Sequence, residues 1–179
     1  MLDSRAVKMR ADEDRHQFQG HPDRKIREAH VFREHVDVGP KDTALRARTG
    51  TRARDGERGQ VPAHATRWTH ERAVARAAER VWRDPETQRR LRAQMQRLHQ
   101  GDPPSSLRVV RYLPLREAVG SDWRRYVAGH TAGSGGLRES RFTEHSVVKA
   151  VWKMDDDRKW YLQTCYPQVQ ARPDLGWPK

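Results

Sequence analysis

SVVKAVWKMDDDRKWYLQTCY, residues 146–166, is the stretch whose reading decides the fold. Two runs rich in β-branched and aromatic residues, SVVKAVW and KWYLQTCY, flank an acidic turn at Asp155, Asp156 and Asp157, the pattern of a β-hairpin. A period of two along the second run puts Trp160, Leu162, Thr164 and Tyr166 on one face and Tyr161, Gln163 and Cys165 on the other. Cys165 is then a buried structural thiol, while Thr164 and Tyr166 point the same way. The aspartate triple reads as a solvated turn between strands rather than a cation site.

Upstream of the hairpin, LRVVRYL (107–113) is another short β-branched strand, and HTAGSGG (130–136) has the composition of a turn or flexible connection. Helical spacing dominates before that. Thr69 can cap a helix with Glu71 in its first turn, and Val74, Ala77, Ala78, Val81 and Trp82 recur on one face. Asp84 and Pro85 read as the N-cap and first residue of a second helix, whose stripe Leu91, Met95, Leu98 stops at Gly101. REAHVFREHVDVG (27–39) suits a short helix ending near Gly39, where Pro40 opposes continuation. Residues 46–64, rich in Gly, Arg and polar side chains, read as a loop that could face phosphates. The expected fold class is α+β, with N-terminal helices packed on a C-terminal antiparallel sheet. Residues 1–27 lack an apolar period and read as a disordered or linker tail, 28–168 as the folded domain and 169–179 as a C-terminal tail. Trp68, Trp82, Trp152 and Trp160 fall on stripes expected to be core, whereas Trp123 and Trp177 are less constrained.

The chain of 179 residues carries 36 Lys and Arg against 24 Asp and Glu, a net charge of +12, and the polyanion that best rewards such an excess is a nucleic-acid backbone. One cysteine excludes an internal disulfide framework and a cysteine-rich zinc site, so the fold can work in a reducing cytosol. No apolar run approaches the roughly 18 residues of a membrane span, and the N-terminal segment lacks a signal peptide's apolar stretch, so no membrane partner or export signal is expected. There is no GxSxG, no HExxH, and no Walker Lys-Ser/Thr after the glycines at 133–136. His30 and His35 are five apart without an acidic pair at ligand spacing, so neither a catalytic metal nor a small-molecule cofactor is expected.

RNA cleavage without a metal needs a base for the 2′-hydroxyl, donors around the phosphorane and an acid for the departing 5′-oxygen. His35, Arg48, Thr164 and Tyr166 are the candidates for this set, since imidazole can take the proton and guanidinium and hydroxyl groups can donate to phosphate oxygens. His30, His70 and His145 are reserve acid–base candidates, and Lys149 is a reserve phosphate ligand.

The run His35, Val36, Gly39, Leu45, Arg48, the segment RWTHERAVARAAERVW (67–82) and the terminal TCYP (164–167) occur in an order that resembles the bacterial RNase A-like toxin domain. That domain stands at the C-termini of contact-dependent growth inhibition proteins, and the likeness spans roughly residues 28–168. The resemblance implies a metal-independent ribonuclease with a pancreatic-ribonuclease-like fold lacking disulfides. It further implies His35 as base, an arginine after it, and Thr164 with Tyr166 on the last strand. Counting from His35 favours Arg46, while the Leu-x-x-Arg register favours Arg48, the residue adopted here. Cys165 departs from the family's usual small residue. RNA, with tRNA among the candidates, and an acidic immunity protein are the implied partners. The implied place of action is the cytoplasm of a target bacterium, reached by an unidentified delivery route. Charge alone also admits a non-catalytic basic RNA- or DNA-binding protein.

Overall fold

The computed structural model describes residues 3–16, 29–53 and 56–171. Its helices are α1 (Ser4–Arg15), α2 (Val31–His35), α3 (Pro40–Thr49), α4 (Glu71–Arg83), α5 (Pro85–His99) and α6 (Leu115–Val119). Its strands are β1 (Ala65–Trp68), β2 (Arg108–Pro114), β3 (Val127–Gly133), β4 (Gly136–Glu139), β5 (Val147–Met154) and β6 (Trp160–Gln168). The architecture is α+β: helices lead, and the strands form two antiparallel three-stranded sheets, β1-β3-β4 and β2-β5-β6, rather than one.

The hairpin forms as the sequence pattern requires, from β5 and β6, but it does not alternate throughout. Val151 stands opposite Thr164 and Trp152 opposite Leu162, so Gln163 is an extra residue that bulges β6. Beyond it the facing reverses. Trp160 and Leu162 pack on the same helical core as Cys165, while Thr164 and Tyr166 turn to the other side with Val151 and Lys149. The expectation that Trp160, Leu162, Thr164 and Tyr166 share a face is corrected; the pairing of Thr164 with Tyr166 stands. Nor is the aspartate turn wholly solvated. Asp155 is buried, its Oδ1 accepting the Lys159 backbone N–H at 2.8 Å and its Oδ2 lying 3.2 Å from His16 Nε2.

The core lies between the helices and the β2-β5-β6 sheet. Val74, Ala77, Ala78 and Val81 of α4 supply the expected stripe, and Trp82 tilts against Trp152 at 5.4 Å between ring centroids. Trp68 and Trp123 are fully buried, so Trp123 joins the core; Trp177 lies outside the described residues. His70, not Thr69, caps α4, its Nδ1 accepting the Arg72 N–H at 3.1 Å, because the Thr69 hydroxyl instead donates to the Arg125 carbonyl at 2.8 Å.

Two segments expected to be loop are regular. Pro40 is unable to continue α2, yet its fixed φ suits a first helical turn, and it opens α3, with Asp42 accepting the Gly39 N–H at 2.7 Å. The loop therefore begins only at Gly50, which closes α3 in the left-handed conformation (φ 75°) where a Cβ would lie 2.3 Å from the Gly59 carbonyl oxygen. His130 to Gly133, expected to be a turn, belong to β3, which pairs with both β1 and β4; the turn is confined to the residues around Ser134. The sheets meet where β1 runs along β6: Trp68 Nε1 donates to the Cys165 carbonyl at 3.0 Å, and the Thr66 hydroxyl donates to the Pro167 carbonyl.

The N-terminal tail reading is corrected too. Asp3 caps α1, Ala6 is fully buried, and the Glu13 carboxylate accepts the backbone N–H groups of Phe32 (2.7 Å) and Arg33 (3.3 Å), which are orphan donors of α2. Arg10 grips Asp37 with two bonds of 2.6 and 2.7 Å, and His16 stacks on Tyr161 at 4.2 Å. Beyond Ala6 and Met9, which reach the core, this helix adheres through polar groups, and these leave no apolar period to read. The rest of the N-terminal tail reading, residues 1–2 and 17–27, lies outside the described residues, as do 172–179 of the C-terminal one; before them, the Val169 carbonyl accepts from Ser146 Oγ at 2.7 Å. Among the described residues no helix is long and apolar enough to cross a membrane.

Because Glu13 caps α2 from a distant helix, Glu13→Ala is expected to lower the unfolding free energy by about 1–2 kcal/mol in urea titration. An unchanged midpoint would mean that α1 does not hold α2.

Candidate functional site

A cavity of about 640 Å³ opens where α2, α3, the loop after Gly50, β1 and the bulged face of β5 and β6 meet. Four cations line it, Arg46, Arg52, Arg108 and Lys149, and no carboxylate does so among the described residues. Arg46 and Arg52 are each paired at 2.8 Å with a carboxylate outside the lining, Glu34 and Glu57, and the positive excess that faces the cavity favours an anion.

His35, at the end of α2, enters the cavity wall with its ring stacked on Tyr166, centroids 4.5 Å apart and planes 13° from parallel. Its Nδ1 lies 3.3 Å from the Thr66 carbonyl oxygen. A neutral ring donating there keeps Nε2 as the proton acceptor. Burial is the main force pushing the His35 pKa down, to about 3, with Arg46 and His30 adding to it and the Glu34 carboxylate opposing. The ring is therefore neutral at physiological pH, and a bound phosphate beside it would raise its basicity.

The arginine that faces the cavity is Arg46, not Arg48. Two residues along a helix turn the side chain by about 200°, so the pair cannot share a face of α3. Arg46 lines the cavity, with Nη1 donating to Glu34 Oε2 at 2.8 Å, whereas Arg48 is exposed on the far side. Thr164 is buried in the wall, and its hydroxyl has no hydrogen-bond partner among the described residues. A buried hydroxyl left so costs stability. The Tyr166 hydroxyl accepts from Gln168 Nε2 at 2.9 Å. Cys165, on the opposite face, is fully buried and its thiol is held protonated by that burial.

Of the reserve residues, His30 and Lys149 line the cavity; His70 is occupied as a cap and His145 is exposed elsewhere. Sequence reasoning missed His64, Arg52 and Arg108. The first two lie in the segment read as a phosphate-facing loop, so its Gly- and Arg-rich composition was the signal. Arg108 begins a strand and gave none. The sequence reading also set metal ligation aside because no acidic pair stands at ligand spacing beside His30 and His35. The single acid between them, Glu34, is folded so that with both histidines it brings ligand atoms to within 4.8 Å of one another.

In comparisons with known proteins, no family model matches the chain, and no curated protein or solved structure matches it either.

The depressed pKa has a consequence for stability. The unfolded histidine takes up its proton near pH 6.5, the folded one only near pH 3. The unfolded chain thus binds more protons across this window, and stability falls as pH falls below 6.5. Between about pH 7 and pH 5 His35 should account for a loss of up to about 2 kcal/mol, absent in His35→Gln and measurable by urea unfolding at the two pH values. Parallel pH dependence in both proteins would show that the folded ring titrates normally.

Proposed function

We propose that the protein is a metal-independent ribonuclease of the bacterial toxin kind, cleaving RNA by transphosphorylation. The observation that carries this reading is the convergence of His35, Arg46, Thr164 and Tyr166 on one cationic cavity, although β6 is distant from α2 and α3 in sequence. In this mechanism His35 Nε2 takes the proton of the 2′-hydroxyl as the 2′-oxygen attacks phosphorus. The bond from phosphorus to the 5′-oxygen breaks, that oxygen leaves with a proton from water in the open cavity, and a 2′,3′-cyclic phosphate remains. The Arg46 guanidinium and the Thr164 and Tyr166 hydroxyls donate to the nonbridging oxygens, whose charge grows in the transition state. Arg52, Arg108 and Lys149 attract the backbone on either side.

The substrate in this proposal is RNA, with tRNA among the candidates, and the site of action is the cytoplasm of a target bacterium. A producing cell must neutralise such an enzyme, and an immunity protein that presents carboxylates to the four cavity cations would do so.

Purified protein incubated with total RNA in excess EDTA should yield fragments ending in cyclic phosphate, and His35→Ala should slow the reaction by about 10²–10⁴-fold. Intact RNA with folded parent protein would favour a non-catalytic basic RNA- or DNA-binding protein.

The choice of arginine is tested separately. Arg46→Ala should lower turnover by about 10²–10³-fold, the usual loss of a transition-state donor, while Arg48→Ala should stay within about twofold, since exposed groups away from the site contribute little. The reverse order would return the role to Arg48.

A further inference from the structure

We infer that His30, Glu34 and His35 form a site for a divalent transition-metal ion such as Zn²⁺, and that an ion bound there inhibits the protein by occupying the proposed base. The inhibitory half rests on the ribonuclease reading; the binding half does not.

Two imidazoles and one carboxylate are a donor set suited to Zn²⁺, with a fourth position left for water or another ligand. His30 precedes the first turn of α2 and Glu34 follows it by four residues, which puts them on one face. The His30 and His35 rings stand 5.9 Å apart, and one ligand atom from each of the three residues lies within 4.8 Å of the others. Zinc bonds of about 2.0–2.1 Å in a tetrahedral site set ligands about 3.3 Å apart, so closure asks for side-chain shifts on the order of 1 Å. His30, only half-buried at the N-terminal boundary of α2, is the residue best placed to make them.

The surroundings are those that orient metal ligands. A ligating histidine usually donates its other ring nitrogen to a carbonyl, and a ligating carboxylate accepts a further hydrogen bond. His35 Nδ1 faces the Thr66 carbonyl, and Glu34 Oε2 takes a bond from Arg46. The His30 backbone N–H donates to the Gln163 carbonyl at 2.9 Å, which ties the site to the β6 bulge. Both histidines line the cavity, so an ion has an entry path. With Nδ1 engaged, the His35 atom left for the ion is Nε2, the atom that would accept the 2′-hydroxyl proton. Metal and base function therefore exclude each other.

The test uses the full chain. Zn²⁺ titrated calorimetrically, and Co²⁺ followed by its visible absorption, should bind one to one, and His30→Ala and the size-conserving His30→Gln should each weaken binding at least about tenfold. His64→Ala, a cavity histidine outside the cluster, should leave affinity within about twofold. RNA cleavage in Zn²⁺ is then divided by cleavage in EDTA for each protein, which cancels any change in basal rate. The ratio should be at least about tenfold lower for the parent than for His30→Ala. Absence of one-to-one binding by the parent, or affinity that survives both His30 variants, would overturn the site. A ratio above one for the parent would overturn the inhibitory role. A parent inactive in EDTA would sink the ribonuclease reading, while the titrations would still decide the metal site.

Discussion

A strand alternating strictly from Trp160 to Gln168 would send Trp160, Leu162, Thr164 and Tyr166 to one side, and the helical core would bury all four. The extra residue Gln163 prevents this. It lets β6 give Trp160 and Leu162 to the core, then Cys165 to the same core, while Thr164 and Tyr166 face the cavity with Lys149. A bulge costs a locally broken ladder, but here the neighbouring backbone is put to use: the Gln163 carbonyl accepts the His30 N–H. One irregularity thus separates core from cavity and holds the start of the histidine-bearing helix against the strand.

That helix is short, and five residues do not hold a helix unaided. α2 is fixed from outside at both ends. Glu13 supplies its N-terminal amides with acceptors, Arg10 clasps Asp37 just beyond it, and the stack of His35 on Tyr166 joins its end to β6. Placement of His35 therefore depends on α1, a helix that contributes no residue to the cavity lining. Buried carboxylates are expensive, and burial raises the pKa of Glu13 even as the two N–H donors oppose it.

The cavity balances two opposite demands. Cations must gather to attract a polyanion, yet they repel one another and disfavour protonation of a buried imidazole. Glu34 offsets part of this by pairing with Arg46 from behind the wall, outside the cavity lining. The same carboxylate lies beside both histidines, so the group that steadies the arginine also completes a donor set for a metal ion.

By itself the sequence determined the α+β class, the β5–β6 hairpin, α4 with its core stripe, α5 with its Asp84 cap, and the sign of the charge. It also singled out His35, Thr164 and Tyr166, which the fold brings to one cavity. All of these are written in local periods, in turn residues or in motif order. Tertiary structure alone decided the rest. Whether β6 bulges depends on its partner strand, whether α1 docks depends on acceptors and donors far along the chain, and β1 is too short to announce itself without β3 and β6. Arg46 and Arg48 are equivalent in composition and nearly so in spacing. Only the docking of α3 against the sheets decides which of them faces the cavity, because two residues on a helix point to opposite sides.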